Sequence, residues 1–136
     1  MKKFLSFTLL SFFLSSCVGP PDPNHGLVEN LPVVINTSSA FSFSVRGDNF
    51  TFDEAIDLSF NLQAGKSVAS TLIVTDWEGK DTTYVNLEDV NGSLIYKYTV
   101  TGNGTAIDQS ATTSPKKALI KGSKFSGIIT WTVTAN

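Results

Sequence analysis

Hydrophobic and polar residues alternate with a period of two along most of the chain after residue 30. Such alternation is typical of β-strands that bury one face, whereas convincing helical spacing is found nowhere in the sequence. The pattern therefore predicts an all-β domain. The apolar positions that show it best are Val33 and Ile35; Phe41, Phe43 and Val45; Ile56, Leu58, Phe60 and Leu62; and Ile129, Trp131 and Val133.

Four glycine-containing turns predict how these strands pair. Asn91-Gly92 suits a two-residue type I′ hairpin, because both residues tolerate a positive φ. Each turn gives a coherent apolar face, and together they predict a single antiparallel β-sandwich of about seven to nine strands with an immunoglobulin-like architecture. The predicted neighbours are Leu87 with Tyr96 and Val85 with Tyr98 around Asn91-Gly92, Leu72 with Val85 around Glu78-Gly79, Val45 with Phe50 around Gly47-Asp48, and Ile120 with Phe125 around Gly122-Ser123.

The segment 102–117 has a different composition, rich in Asn, Gly, Ser, Thr and Ala, and Ile107 is its one large apolar residue. Connections of this length are uncommon inside a compact domain. We expect a long connection that contains a ragged edge strand.

The first seventeen residues follow the plan of a secretory signal. Lys2 and Lys3 precede an apolar run over residues 4–14, which is too short to cross a ~30 Å hydrocarbon core as a helix. The run ends in Leu14-Ser15-Ser16-Cys17, an aliphatic residue and two small residues before the single cysteine of the chain. This motif resembles the lipobox of bacterial lipoproteins. The resemblance implies that residues 1–16 are removed, that the Cys17 thiol carries diacylglycerol, and that the new amine is acylated with a chain such as palmitate.

A lipid on Cys17 implies a protein that is anchored to a membrane rather than spanning it, because three acyl chains bind far more firmly than one. In Gram-negative members of that family an aspartate after the cysteine favours the inner membrane. Residue 18 is Val18, which favours the outer membrane, and the periplasmic or surface orientation stays open. We expect residues 17–30 to be a tether with three prolines and residues 31–136 to be the sandwich domain.

Composition narrows the classes of partner. The formal net charge of −2 becomes −4 once Lys2 and Lys3 are removed with the signal. A mildly acidic domain is a poor candidate for binding nucleic acid, which needs a basic face.

The residue types of common catalytic sites are scarce in the predicted domain. His25, the one histidine, falls in the tether, and no G-x-S-x-G or P-loop spacing is present. We therefore predict a non-enzymatic protein without a cofactor other than its covalent lipid. The remaining alternative is a small hydrolase with a carboxylate pair, since a glycosidase needs only two acids; the acids that crowd together are Asp48, Asp53, Glu54 and Asp57.

A second group of acids surrounds the Glu78-Gly79 turn. The predicted hairpin places Asp76 opposite Asp81, with Glu78 between them in the loop. Directly opposed like charges destabilise a sheet, and a Ca²⁺ ion bound by carboxylate oxygens would relieve the repulsion. The sequence therefore offers Asp76, Glu78 and Asp81 as a calcium site, and solvated turn acids screened by Lys80 as the alternative.

Aromatic residues supply the candidate binding surface. On the solvent face of the predicted meander Ile73 pairs with Tyr84, and Trp77 closes the turn. Rings on a sheet face can fill a partner's pocket or stack on sugars, unless a second sheet covers them. We expect a binding or structural module of the bacterial cell envelope, as a subunit of an envelope or surface assembly. The alternative is a carbohydrate-binding module that uses Trp77 and Tyr84, assisted by calcium.

Overall fold

The computed structural model describes residues 26–79 and 82–136, which form seven β-strands. The predicted lipobox and Cys17 lie outside the described residues. Within the two described ranges, no helix has the length and apolar character to span a membrane. The strands are β1 Val33–Asn36, β2 Ala40–Asp57, β3 Val68–Thr75, β4 Thr83–Glu88, β5 Leu94–Val100, β6 Gly104–Ala111 and β7 Lys117–Ala135.

Two long strands, β2 and β7, organise the whole sheet. They pair antiparallel from Ala40 opposite Thr134 to Asp57 opposite Lys117. The C-terminal half of β7 also pairs with β3, and its N-terminal half pairs with β4. One continuous sheet therefore forms a five-stranded layer, in the order β1-β2-β7-β3-β6, and a four-stranded layer, in the order β2-β7-β4-β5.

Glycines mark the place where β2 and β7 pass from one layer to the other. The β2–β7 register shifts between Gly47 and Phe50 and again between Phe50 and Phe52. A Cβ atom on Gly122 would lie 2.5 Å from Cε1 of Phe52, and one on Gly47 would lie 2.7 Å from Cδ1 of Phe125. Only glycine leaves room for these rings, so the bend is built around aromatic side chains that pack directly on the main chain.

The space between the layers is filled by aromatic and aliphatic side chains. Trp131 is fully buried and its ring meets Phe41 edge to face, with centroids 5.5 Å apart. The indole Nε1 donates a 2.9 Å hydrogen bond to Oγ of Ser70, which is also fully buried, so the polar edge of the ring is satisfied. The other fully buried large side chains are Phe43, Phe60, Phe125, Leu87, Ile120, Ile129, Val45, Val68, Val85 and Val133.

The predicted all-β, antiparallel sandwich is confirmed. The immunoglobulin-like arrangement is not confirmed, because an immunoglobulin sandwich has separate sheets and here β2 and β7 run through both layers.

Three of the four predicted hairpins are wrong. Gly47-Asp48 and Gly122-Ser123 lie inside the continuous strands β2 and β7, so Val45 faces Ile129 rather than Phe50, and Ile120 faces Glu54 and Val85 rather than Phe125. Across Glu78-Gly79 the chain changes layers, and β3 pairs with β6 and β7 instead of β4. In each case the glycine is needed for a bend or a positive φ, and the sequence signal for those is the same as for a hairpin.

The hairpin at Asn91-Gly92 forms with the predicted pairs Leu87–Tyr96 and Val85–Tyr98. Its loop is longer than predicted. The Gly92 amide donates to the Asp89 carbonyl at 3.2 Å, the Asp89 amide donates to the Ser93 carbonyl at 3.0 Å, and Gly92 alone in the loop has a positive φ. This geometry is a type I turn followed by a glycine bulge, and a further register shift separates the Glu88–Leu94 pair from the Leu87–Tyr96 pair.

The segment 102–117 contains the predicted edge strand. Residues Gly104–Ala111 form β6, which pairs with β3 at the edge of the five-stranded layer. Ile107 is 59% exposed on this edge.

Candidate interaction surface

The outer face of the five-stranded layer carries no charge across two complete rows of side chains. Successive strand pairings align Ile35, Ser42, Thr132, Thr71 and Ile107 in one row, and Val33, Ser44, Thr130, Ile73 and Thr105 in the next. Hydroxyl side chains occupy the middle of both rows, and branched aliphatic residues lie towards both edges. We call these ten residues the uncharged face.

The outer face of the four-stranded layer has the opposite character. Lys121 lies between Tyr84 and Asp53, and Lys117 lies between Glu88 and Asp57. The Lys121 Nζ is 2.7 Å from the Asp53 carboxylate, and the hydrogen bond and charge of Asp53 raise the pKa of Lys121. Lys117 Nζ is 3.9 Å from Asp57. These pairs are exposed and contribute little stability, but they make this face strongly hydrated.

The structure does not bring together the three residues predicted as a ligand or partner surface, Ile73, Trp77 and Tyr84, on one face of the sheet. Ile73 is 40% exposed and belongs to the uncharged face, beside Thr130 and Thr105. Tyr84 lies on the outer face of the four-stranded layer, beside Thr99 and Lys121. The predicted pairing of Ile73 with Tyr84 is wrong because β3 and β4 belong to different layers.

Trp77 is half-buried and packs against the core from the connection between β3 and β4. Its ring lies over Gly79, where an added Cβ would come within 3.2 Å of Cζ3, and its main-chain amide donates a 2.8 Å hydrogen bond to Oδ1 of Asn103. The main-chain amide of Trp77 therefore holds the connection against the loop between β5 and β6, while the indole ring packs against the core. This position differs from the ring on an open sheet face that the sequence predicted.

Two of the three acids predicted to bind calcium are described. Asp76, with a φ of 54°, and Glu78 line a cleft that also includes Asp48 and Glu29. Asp81 lies outside the described residues. Within the described part of the chain, no three His, Cys, Asp or Glu side chains are grouped so that they could hold a metal ion. The calcium site stays a prediction, as does the hydrolase alternative.

Polar groups between the layers are joined by tyrosine hydroxyls. Tyr98 donates a 2.7 Å hydrogen bond to the Asp108 carboxylate on β6. The Tyr96 hydroxyl donates to the Val68 carbonyl at 2.9 Å and accepts from the Ala111 amide at 3.0 Å. Both side chains therefore connect β5 to the opposite layer.

Burial raises the pKa of the Tyr98 hydroxyl well above its ordinary value. The hydrogen bond to Asp108 and the charge of that carboxylate raise it further, while a hydrogen bond with Ser70 lowers it. The hydroxyl consequently stays protonated and donates to Asp108 throughout the physiological pH range.

Sequence reasoning missed the uncharged face. Alternation alone placed Ser42 and Ser44 opposite the apolar side of β2, and Thr130 and Thr132 opposite the apolar side of β7. These side chains form continuous rows only because β7 lies between β2 and β3. That pairing joins segments far apart in the chain, and no local pattern in the sequence predicts it.

No protein-family model and no curated protein matches this chain. Among solved structures, the chain is similar to one described as the crystal structure of accessory secretory protein 1, 2 and 3 in Streptococcus pneumoniae. The identity is 10%, the match covers 77% of this chain and 85% of that chain, and the TM-score is 0.36. At this TM-score the likeness carries no argument about function.

Proposed function

We propose that this chain is a lipid-anchored, non-enzymatic protein of the bacterial cell envelope that binds a protein partner through its uncharged face. The observation that carries the proposal is the contrast between the two outer faces. One has two complete rows without an ionisable side chain, and the other has paired lysines and aspartates.

Desolvation explains why the uncharged face suits a partner. Transferring a charged group out of water is costly, and the buried centres of protein interfaces are depleted of charge. Thr71, Thr130 and Thr132 carry hydroxyls that rotate to donate or accept hydrogen bonds, so they adapt to a partner's polar groups. Ile73 and Ile107 add exposed apolar surface at the same place.

The motif at Cys17 supports the envelope location. After removal of residues 1–16, the segment 18–25 separates the lipidated cysteine from the first described residue, Gly26. Eight residues span at most roughly 30 Å when extended, so the domain would be held close to its membrane. The absence of aspartate at residue 18 favours the outer membrane for a Gram-negative host, following the resemblance to lipoproteins.

The carbohydrate-binding alternative receives no support from the placement of its two rings. Trp77 packs against the core, while Tyr84 lies on the outer face of the four-stranded layer. A sugar would need both rings on one accessible surface to stack as that alternative requires.

Site-specific photocrosslinking in intact producing cells tests the binding face. A photoreactive residue at Thr71 should give a discrete adduct with another protein, and Thr130→Lys should abolish it by placing a charge in the middle of the face. Ala55, which points outward on the four-stranded layer, is the matched control position. Equal adducts from both faces, or none from Thr71, would contradict the proposal.

The anchor is tested separately. Mass spectrometry of the protein purified from membranes should find a chain that begins at Cys17 with diacylglycerol on its sulfur. The Cys17→Ser variant should keep its signal peptide and lose the lipid. A chain that retains Met1 and carries no acyl group would contradict the anchoring.

A further inference from the structure

The edges of the two layers differ in how they are protected against pairing with another chain. The open edge of β6 carries Asp108, the open edge of β5 carries Lys97, and the lower half of β2 carries Asp53, Glu54 and Asp57. Charged side chains on edge strands are a common defence against edge-to-edge association. Three of the four edges therefore have this defence.

The fourth edge, β1, has no charged side chain in its four residues, although Pro32, directly before it, lacks a main-chain donor. Its sequence is Val33-Val34-Ile35-Asn36, all four residues are exposed, and β2 is its one strand partner within the described residues. Val33, Val34 and Ile35 are 46%, 43% and 56% exposed, and the adjacent Val28 and Leu31 are 65% and 54% exposed. β1 itself is thus an uncharged, aliphatic strand edge, and the segment before it also carries Glu29, which forms a β-bridge with Arg46.

The main-chain groups of Val34 point away from the protein. The Thr37 amide donates a 2.9 Å hydrogen bond to the Ala40 carbonyl across the Ser38-Ser39 turn, which fixes the alternation of the β1–β2 ladder. In an antiparallel ladder every second residue bonds the neighbouring strand and the residues between turn their main chain outward. Val33 and Ile35 therefore bond β2, and Val34 offers its N–H and C=O to a further strand.

We propose that β1 pairs antiparallel with β1 of a second copy of this chain, about a two-fold axis that passes through Val34. In this register Val34 faces Val34 of the other copy with two reciprocal main-chain hydrogen bonds. Val33 faces Ile35 of the other copy on the outer side, twice by symmetry, so each aliphatic side chain meets another. The two uncharged faces then join into one surface ten strands wide.

The chain's own N-terminal segment is a poor substitute for the second copy. Residues 17–25 contain Pro20, Pro21 and Pro23, which lack the main-chain donor that an added strand needs. The five exposed aliphatic side chains present on the order of 400 Å² per copy, the size of the largest apolar patch on an ordinary monomer. Two copies with their flanking atoms approach the roughly 1,000 Å² of a specific interface, so the pair is weak in solution and is favoured by concentration on a membrane.

Cysteine crosslinking of the full chain in intact membranes tests this pairing. Under mild oxidation Val34→Cys should yield a disulfide-linked dimer of twice the chain mass, well above the wild-type background, because the Cys17 sulfur is already held in a thioether in the proposed lipidated form. Leu94→Cys is the matched control, because Leu94 is an exposed aliphatic residue on β5, the edge strand of the other layer, and lies outside the uncharged face. Adding Val33→Lys to Val34→Cys places a charge against Ile35 of the other copy and should return the dimer to background, with folding checked by circular dichroism.

Equal dimer from Val34→Cys and Leu94→Cys, or dimer that survives Val33→Lys, would overturn the proposal as random collision. An adduct of any other mass would overturn it in favour of a different protein at this edge. The inference rests on β1 and on the proposed membrane anchor, which mass spectrometry tests separately, and its failure leaves the photocrosslinking test of the uncharged face unaffected.

Discussion

The hydroxyl of Tyr98 on β5 donates to the carboxylate of Asp108 on β6, at 2.7 Å, and so joins the free edges of the two layers with side chains instead of a main-chain ladder. Tyr98→Phe removes this bond and leaves Asp108 without its donor. Hydrogen bonds to charged groups contribute about 2 kcal/mol, and we expect a loss of that size in the free energy of unfolding. Urea unfolding measures this free energy, and Tyr84→Phe, on the outer face of the four-stranded layer, is the control. A loss no larger than that of Tyr84→Phe would show that the bond contributes nothing.

The raised pKa of Tyr98 predicts a dependence of stability on alkaline pH. Below about pH 10 the hydroxyl is protonated in both states, and the contribution to stability is fully present. Above that pH the unfolded chain releases the proton while the folded chain keeps it, so the free energy of unfolding falls as pH rises.

Comparison with Tyr98→Phe isolates this effect, because the other tyrosines and the lysines titrate in both proteins. We expect the stability difference between wild type and variant to narrow as the pH rises from about 10 to about 12. A difference that stays constant or widens over this range would contradict the assignment.

Gly122→Ala should destabilise the bend between the layers. The new Cβ would lie 2.5 Å from the Phe52 ring, and overpacking of this kind costs about 1–3 kcal/mol. Gly104→Ala is the control, because nothing lies within 4 Å of its added Cβ. Combining Gly122→Ala with Phe52→Leu should recover part of the loss, as a double-mutant cycle would show by a coupling energy between the two sites. Strictly additive effects would count against the close packing of ring on main chain.

Ser70→Ala should leave the Trp131 Nε1 donor buried without a partner, at a cost of about 1–3 kcal/mol. Trp131→Phe removes the donor together with part of the ring. The double variant should lose less free energy of unfolding than the two single variants together, because the Ser70 hydroxyl and the Trp131 indole are hydrogen-bond partners. Chemical unfolding of all four proteins measures the coupling, and its absence would refute the importance of this bond.

Local sequence patterns predicted the strands and the hairpin whose partners are close in the chain. They did not predict pairings between strands that are far apart in the chain. The Leu87–Tyr96 register follows from a short loop and is predicted correctly, whereas the predicted type I′ turn is wrong. The sequence suggested hairpin turns at Gly47 and Gly122. A glycine that a turn needs for its backbone conformation cannot be told apart in the sequence from a glycine that leaves room for a packed aromatic ring. The difference lies in the rings of Phe125 and Phe52, which are 78 and 70 residues away from Gly47 and Gly122 along the chain but in contact with them in the fold.

The candidate surface shows the same division. Alternation assigned Ile73 to an outward face correctly, but its neighbours are Thr130 and Thr105 rather than Tyr84. Whether a face is charged depends on which strands lie side by side, and that order is set by the core that buries Trp131 and Phe43. Strand order was therefore the missing information, and the surface could not be assembled without it.

The sharing of β2 and β7 between the layers has a consequence for how the chain folds as it is made or exported. A polypeptide that emerges N-terminus first presents β1 to β6 before Lys117–Ala135, yet both layers need this last segment as a central strand. Neither layer can close early, and folding must wait for contacts between the two ends of the domain, which slows it. A late-closing chain stays extended until β7 appears, which suits the export across a membrane proposed above.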